Sequence, residues 1–165
     1  MTSTLYVDSL IEKTSGNGVH IPGHVIQVIN ATTSTSVSTT TTSFSDTSLT
    51  ATITPKYASS QILILVSQNL GFSTSPDTNA QQQANLVITD GSNNLIFGQA
   101  GWDQFRVKEQ FAFVWQASLN TSHSPNTTSA FTYKTRFRQQ LSNNLVLYTQ
   151  YSGNPSTITV MEIAQ

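Results

Sequence analysis

The sequence predicts an all-β protein, an antiparallel β-sandwich of jelly-roll-like form that makes a knob behind a short extended N-terminal arm. Three observations indicate this class. Apolar and polar residues alternate through many short segments. The chain contains 25 Thr and 22 Ser among 165 residues, and β-branched Thr suits the pleated, half-buried surface of a strand. No long stretch combines helical spacing of apolar positions with helix-forming residues.

The N-terminal arm is predicted to cover residues 1–23, and the knob residues 24–165. The arm holds one short alternating run, which is followed by glycines and a Pro-Gly turn. Its apolar residues are Leu5, Val7, Leu10 and Ile11. Because so short a segment cannot bury a core of its own, we expect it to pack on a neighbouring subunit or on a partner protein.

Ten strands are predicted in the knob, with turn-forming Gly, Pro, Asn and Asp residues between them. They lie near residues 25–30, 34–42, 47–54, 61–68, 84–90, 94–99, 108–118, 130–139, 144–151 and 157–164. Residues 62–66 of the fourth strand are all apolar, and this pattern predicts burial on both faces. By composition alone the Ser/Thr-rich segment 32–50 could be a disordered stalk, but we predict two strands around a turn at 44–46, because Val37, Phe44 and Leu49 give the segment apolar groups to bury.

The strand near 130–139 has two unlike faces. One presents Phe131, Tyr133, Thr135 and Phe137, and the other presents Thr132, Lys134, Arg136 and Arg138. The aromatic face is predicted to lie in the core, because a slip of one residue would expose three rings. The cations then face solvent, a ligand or a neighbouring subunit, where Asp103 or Glu109 could pair with them.

This basic stripe is the main candidate for ligand binding. Arg side chains make bidentate contacts with carboxylate and phosphate groups, so an anionic surface glycan is a suitable ligand for Lys134, Arg136 and Arg138. Trp102 lies in a Gly-Trp-Asp-Gln loop and could stack on a sugar ring. Burial of Trp102 in the core, and a solvated or subunit-facing stripe, are the alternatives.

The composition excludes several classes of function. Charged residues make up 9% of the chain and the net charge is −1, so we expect no nucleic-acid surface. No apolar run approaches the ~20 residues that span a bilayer, so no membrane insertion is expected. The N-terminus has no basic region followed by an apolar one, so the sequence predicts no signal peptide. Cysteine is absent, which removes disulfides and thiolate metal sites.

Groups for catalysis are sparse, so we expect no enzymatic activity and no cofactor. The sequence has no Gly-x-Ser-x-Gly elbow to hold a nucleophile. His123 is expected in a solvated polar loop. Asp90 and Asp103 are the best pair of carboxylates for glycoside hydrolysis, but Asp90 followed by Gly91 indicates a hairpin turn instead.

A metal site is not predicted, although two histidines need consideration. His20 and His24 are four residues apart, but the Pro22-Gly23 pair between them prevents the regular helix that would bring both rings to one face. On a threefold axis, one histidine from each of three subunits could supply three ligands. Histidines that merely flank a turn are the alternative.

Three blocks of the sequence resemble a known family. They are STLYVDSLIEKTSGNGVHIPGHVIQV near the N-terminus, LTATITPKYASSQILILV after the Ser/Thr-rich segment, and STITVMEIAQ at the C-terminus. In order and spacing, these blocks are similar to small tail-fibre and related virion structural proteins of phages that infect cyanobacteria and other aquatic bacteria. Residues 69–155 match only by strand pattern. The resemblance implies a homotrimer whose arm attaches to the particle and whose knob faces outward.

The expected function is therefore that of a tail fibre or attachment fibre in the virion, made in the host cytoplasm. Its partners would be other phage tail, baseplate or capsid proteins and a host-surface polysaccharide. Scarce charges leave strand edges poorly protected against association, which is consistent with a homotrimer. A head or collar decoration or connector protein without a receptor is the alternative. A polysaccharide depolymerase is a third hypothesis, against which the sequence lacks a repetitive β-helix and a carboxylate cluster.

Overall fold

The computed structural model describes residues 6–9, 11, 21–73, 82–98, 105–107, 113–141 and 145–165. Within these residues the chain forms β-strands and one 3₁₀ turn, at Tyr151–Gly153, and no α-helix. The strands are β1 (Val25–Thr33), β2 (Val37–Thr39), β3 (Ser45–Ile53), β4 (Gln61–Phe72), β5 (Gln82–Asp90), β6 (Leu95–Phe97), β7 (Phe105–Val107), β8 (Phe113–His123), β9 (Phe131–Gln139), β10 (Leu147–Thr149) and β11 (Ser156–Ile163). The predicted all-β class is confirmed.

The strands form two antiparallel sheets. In sheet A, β8 occupies one edge of β4, and β11 and β10 share the other edge, with β1 and β2 outside them. In sheet B, the order is β3, β9 and β5, with β6 and β7 sharing the far edge of β5. Four strand positions in each sheet, with a chain that crosses repeatedly between the sheets, make the jelly-roll form of the β-sandwich.

The core lies between the sheets and follows the period of two. β3, β9 and β11 bury alternate residues, as does β4 as far as Gln68, in agreement with the prediction of alternating strands. Tyr133 and Phe137, from the aromatic face of β9, are fully buried. Further large, fully buried side chains are Leu49, Ile53, Ile62, Ile64, Leu70, Phe72, Leu86, Ile88, Leu147 and Ile158.

The predicted run 62–66 is not buried on both faces, although the last residues of the same strand, 68–72, are. In β4, Ile62 and Ile64 are buried, but Leu63 and Leu65 on the outer face of sheet A are only half-buried. In β5, by contrast, residues 83–89 are buried on both faces. On the outer face of β5, Gly98 lies against Val87 and the Arg138 side chain of β9 lies over Asn85. An apolar run alone does not show on which strand other segments of the chain bury the outer face.

The Ser/Thr-rich segment forms strands whose limits differ from the prediction. β1 continues to Thr33, β2 is short, and the turn falls at residues 40–44. Ser45 and Asp46, which the sequence placed in the turn, begin β3 and pair with β9. This shift places the Asp46 side chain on a sheet face, beside the cations of β9.

Neutral polar side chains join the two sheets through the core. The Thr135 hydroxyl of β9 donates to Gln68 Oε1 of β4 over 2.9 Å, and Gln68 Nε2 donates to Ser156 Oγ of β11 over 2.9 Å. All three residues are fully buried. A hydrogen bond inside the core fixes the relative position of the sheets more specifically than apolar contact does, because its geometry is directional.

The start of the knob is hydrogen-bonded to the last strand of the chain. Gly23 N donates to the Ala164 carbonyl over 2.8 Å, and Ala164 N donates to the His24 carbonyl over 2.9 Å. In the arm, Val7 and Ile11 are 55% and 83% exposed. Leu5 and Leu10 lie outside the described residues, and the attachment role of the arm stays a prediction.

Candidate ligand-binding face

The basic stripe lies on the outer face of sheet B. Arg136 pairs in register with Asp46 of β3, and Lys134 with Thr50. Because strand side chains alternate, burial of Tyr133 and Phe137 directs Lys134, Arg136 and Arg138 outward. The structure therefore brings the three predicted cations together on one face.

Asp46 accepts from two of these cations. Lys134 Nζ lies 2.9 Å from Asp46 Oδ2, and Arg136 Nε lies 2.7 Å from Asp46 Oδ1. Arg136 Nη2 also donates to the Phe44 carbonyl over 2.7 Å. The side chains of Lys134 and Arg136 are 16% and 20% exposed, and that of Asp46 is 53% exposed. Asp103 and Glu109, the partners considered from the sequence, lie outside the described residues.

The pKa of Asp46 shows which influence dominates at this site. Partial burial alone would raise this pKa, but hydrogen bonds and charge attraction from Lys134 and Arg136 outweigh burial and hold it below its ordinary value. Asp46 is therefore ionised at neutral pH and neutralises part of the basic stripe.

Arg138 has a different environment from the other two cations. Its Nε donates to Asn85 Oδ1 over 3.0 Å, and its Nη1 donates to the Thr42 carbonyl over 3.2 Å. The guanidinium carbon lies 4.7 Å from the centre of the Phe44 ring, within the range of a cation–π contact. Asn85 is itself fully buried and donates to Gln140 Oε1. These contacts fix the orientation of Arg138.

The arrangement suits an anionic ligand. Three cations face one carboxylate, so the described part of this face carries an excess of two positive charges. A depression of about 160 Å³ lies beside Lys134, at a bulge of β3 where Ser48 has φ of 65°. Its lining consists of Asp46, Ser48, Leu49, Thr50, Lys134 and Thr135. Ligand binding by this face stays a prediction.

A second cluster surrounds His123, which the sequence placed in a solvated loop. That expectation is wrong, because β8 continues to His123 and packs it against β9. His123 Nδ1 lies 3.0 Å from the Tyr133 hydroxyl, and its ring is 5.3 Å from that of Phe131. Burial lowers the pKa of His123, and the nearby Asp90 carboxylate opposes this effect. Burial also raises the pKa of Tyr133, so this hydroxyl stays protonated, and the tautomer of the imidazole decides whether it donates to Nδ1 or accepts from it.

Asp90 forms the turn between β5 and β6, as predicted. Its Oδ1 accepts from the main-chain N–H groups of Ser92 and Asn94, both over 2.8 Å. Its Oδ2 accepts from Asn94 Nδ2 over 2.7 Å. These hydrogen bonds lower the pKa of Asp90, and the bond from the Asn94 side chain has the largest effect. The carboxylate thus holds the turn in place.

The remaining candidates are less informative. Trp102 and His20 lie outside the described residues, and His24 is exposed. In the part of the chain that the structure describes, no three His, Asp or Glu side chains gather in a way that could hold a metal ion.

The basic stripe and the three residues that contact it, Asp46, Phe44 and Asn85, together form what we call the basic face. Sequence reasoning missed these three residues as its members. The signal for Asp46 was weak, a single acid in a Thr-rich segment. Its pairing with β9 depends on a contact between residues 90 positions apart. The contact of Asn85 with Arg138 could not be predicted, because nothing in the sequence of β5 indicates that an arginine of β9 lies over Asn85.

Comparisons with known proteins leave the family open. A scan against protein-family models gives no match, and a search of curated proteins gives no significant match. Within the described ranges, no helix is long and apolar enough to cross a membrane.

Proposed function

We propose that this protein is the outward-facing knob of a phage attachment fibre, which binds an anionic polysaccharide of the host surface. The observation that carries the proposal is the position of the basic face, whose outermost arginine lies at the end of the sandwich away from Gly23. The jelly-roll form, which is common in viral and lectin domains, and the sequence resemblance agree with it.

The two ends of the sandwich can be assigned from strand pairing. Gly23, where the predicted arm ends, is hydrogen-bonded to Ala164 directly after β11, and that end of β11 pairs with the start of β4. The start of β4 pairs with His123, which packs against Phe131 at the start of β9. Arg138 is at the other end of β9. An arm docked on the particle would therefore leave Arg138 at the exposed end.

Binding at each knob would be weak, because the cations already have partners in the chain. A polyanion must compete with Asp46 and with main-chain carbonyls for their donors. Several knobs on one particle raise the avidity by orders of magnitude over that of one site. Weak single sites with many copies are what reversible scanning of a cell surface requires.

A decoration or connector protein of the head or collar is the second candidate. It is favoured by the same internal ion pairs, which give the stripe a structural role without a ligand. Antibody labelling of intact virions separates the two candidates. Label at fibre tips supports the attachment knob, and label on the capsid or collar contradicts it.

The ligand site is tested by one substitution with a matched control. Arg138→Gln removes the outermost cation of the basic face, and Lys56→Gln removes an exposed cation from the loop between β3 and β4. We expect Arg138→Gln to weaken binding to an anionic polysaccharide such as heparin or alginate, while Lys56→Gln leaves it unchanged. Equal loss in both variants would indicate unspecific charge attraction, and the proposed site would be wrong.

A further inference from the structure

The outer face of sheet A has an apolar centre. Across the middle of the sheet, Val28, Met161 and Leu63 are neighbours on adjacent strands, and Leu65 lies beside Thr159 in the next row. Val28 is 52% exposed, and the other four are half-buried. The central strand of a sheet therefore presents leucines outward, where burial in the single chain is incomplete. Burial of this remaining apolar surface against a partner would stabilise the association.

This face is also free of charge. Among the six strands of sheet A, all of them described, Glu162 is the one Asp, Glu, Lys or Arg residue. Glu162 is fully buried and points inward, where it accepts from the main-chain N–H groups of Lys56 and Tyr57. Around the apolar centre, the outward side chains are neutral and polar. They are Asn30, Thr32, Thr157, Thr159, Ser67, Ser118, Asn120 and Ser122.

Within the described residues, the edge strands β1 and β8 of sheet A lack charged side chains as well. β8 spans Phe113–His123 and β1 spans Val25–Thr33, and both lie at sheet edges. Neither carries a Lys, Arg, Asp or Glu. Soluble proteins ordinarily place charges, especially Lys, on such edges to prevent association. Sheet B differs, because its outer face carries Asp46, Lys134, Arg136 and Arg138.

We propose that the outer face of sheet A is the surface through which three copies of this chain associate. A partner for this face must itself be uncharged, because a charge buried there would find no counter-charge. A second copy offers such a surface in its own sheet A and in the uncharged edges of that sheet. This inference rests on the proposed fibre function and on the homotrimer that the sequence resemblance implies, and it names the interface of that trimer.

The proposed packing fixes the orientation of each subunit relative to the threefold axis. Each copy turns sheet A toward a common threefold axis, with Leu63, Leu65 and Met161 near the axis. Contact between the face of one copy and the edge of the next closes the ring, as a head-to-tail interface with threefold rotation does. Sheet B then faces solvent in all three copies, so the basic face and its ion pairs remain accessible to a ligand.

Light scattering on the full chain tests the interface. We expect wild-type protein at micromolar concentration to have three times the mass of the 18.0 kDa chain. Leu65→Lys would place three ammonium groups around the axis and should give monomers. Thr159→Lys, which adds the same charge beside Leu65 without removing an apolar group, should also weaken the trimer. Thr52→Lys adds that charge on the outer face of sheet B and should leave the trimer intact. Circular dichroism checks that each variant is folded.

Three results would overturn the inference. Trimeric Leu65→Lys and Thr159→Lys variants would place the interface elsewhere and leave the attachment function standing. A wild-type dimer would contradict the threefold arrangement. A wild-type monomer would contradict the association of three copies. If, in such a monomer, a Thr159→Cys thiol reacts faster with a labelling reagent after deletion of residues 1–20, the arm is the occupant of this face. Virion labelling and polysaccharide binding test the proposed function separately, since neither depends on which sheet forms the interface.

Discussion

Most of the charged residues in the described part of the chain serve internal contacts. Asp46 binds two cations, Asp90 holds a turn, and Glu162 accepts main-chain N–H groups inside the core. The basic stripe of β9 could be predicted from its alternation with aromatic residues. Its partner Asp46 could not, because the pairing of β3 with β9 is a long-range contact that a local pattern does not encode.

His123 makes the stability of the protein depend on pH. Its pKa in the folded chain is lowered by burial, so the unfolded chain binds a proton more readily than the folded chain does. Stability is then fully present above the unfolded value of about 6.5 and declines as the pH falls through that value toward the folded pKa. We expect the free energy of unfolding in urea to decrease from pH 7.5 to pH 5.

His123→Gln is the comparison for this effect, with the slope against pH as the readout. The variant lacks the titrating ring, so its free energy of unfolding should change less over the same interval, whatever its absolute stability. Asp46 and Asp90 have lowered pKa values, so their effects appear at more acidic pH. Parallel slopes for wild type and His123→Gln would show that His123 does not couple folding to protonation.

At the scale of elements, alternation predicted the strands well where one face lies in the core. β3, β9 and β11 follow this pattern, as does β4 as far as Gln68. The exposure of outer faces was harder to predict, because cover comes from segments distant in sequence. The apolar run of β4 predicted double burial, whereas its outer leucines are half-exposed in the single chain. On the proposed interface, that residual apolar surface is buried by a neighbouring copy.

The connection between β10 and β11 depends on a glycine in β4. A Cβ atom at Gly71 would lie 2.9 Å from Tyr151 Cγ and 3.2 Å from the Phe113 carbonyl oxygen. The Tyr151 main chain is held by a 2.9 Å hydrogen bond to Asn69 Oδ1, so the ring cannot retreat freely. Gly71→Ala should therefore lower the free energy of unfolding by about 1–3 kcal/mol.

The control for this element is Gly91→Ala. At Gly91 the added Cβ would lie 3.5 Å from Thr132 Cβ, an ordinary contact, so stability should change by less than about 0.5 kcal/mol. Urea unfolding of both variants measures the difference. If Gly71→Ala is as stable as Gly91→Ala, Tyr151 does not pack on Gly71 as described.

For the whole molecule, polar contacts hold the two sheets together. The high content of Thr and Ser is consistent with such contacts, but the sequence did not show which residues make them. Thr135→Val keeps the shape of the side chain and removes the hydroxyl that donates to Gln68. Loss of a buried hydrogen bond costs about 1–3 kcal/mol, which we expect as a lower free energy of unfolding. Thr132→Val, on the outer face of the same strand, should be nearly neutral. Equal stability of the two variants would show that the interior hydrogen bonds do not hold the sheets together.

The central claim is that this knob attaches a phage to its host, and competition for adsorption tests it most directly. Purified full-length protein is added to host cells before the phage, and the rate at which free phage disappears is measured. The account predicts that wild-type protein slows adsorption in a concentration-dependent manner and that Arg138→Gln protein slows it less. An adsorption rate that stays unchanged at every concentration of correctly folded protein would contradict the attachment function.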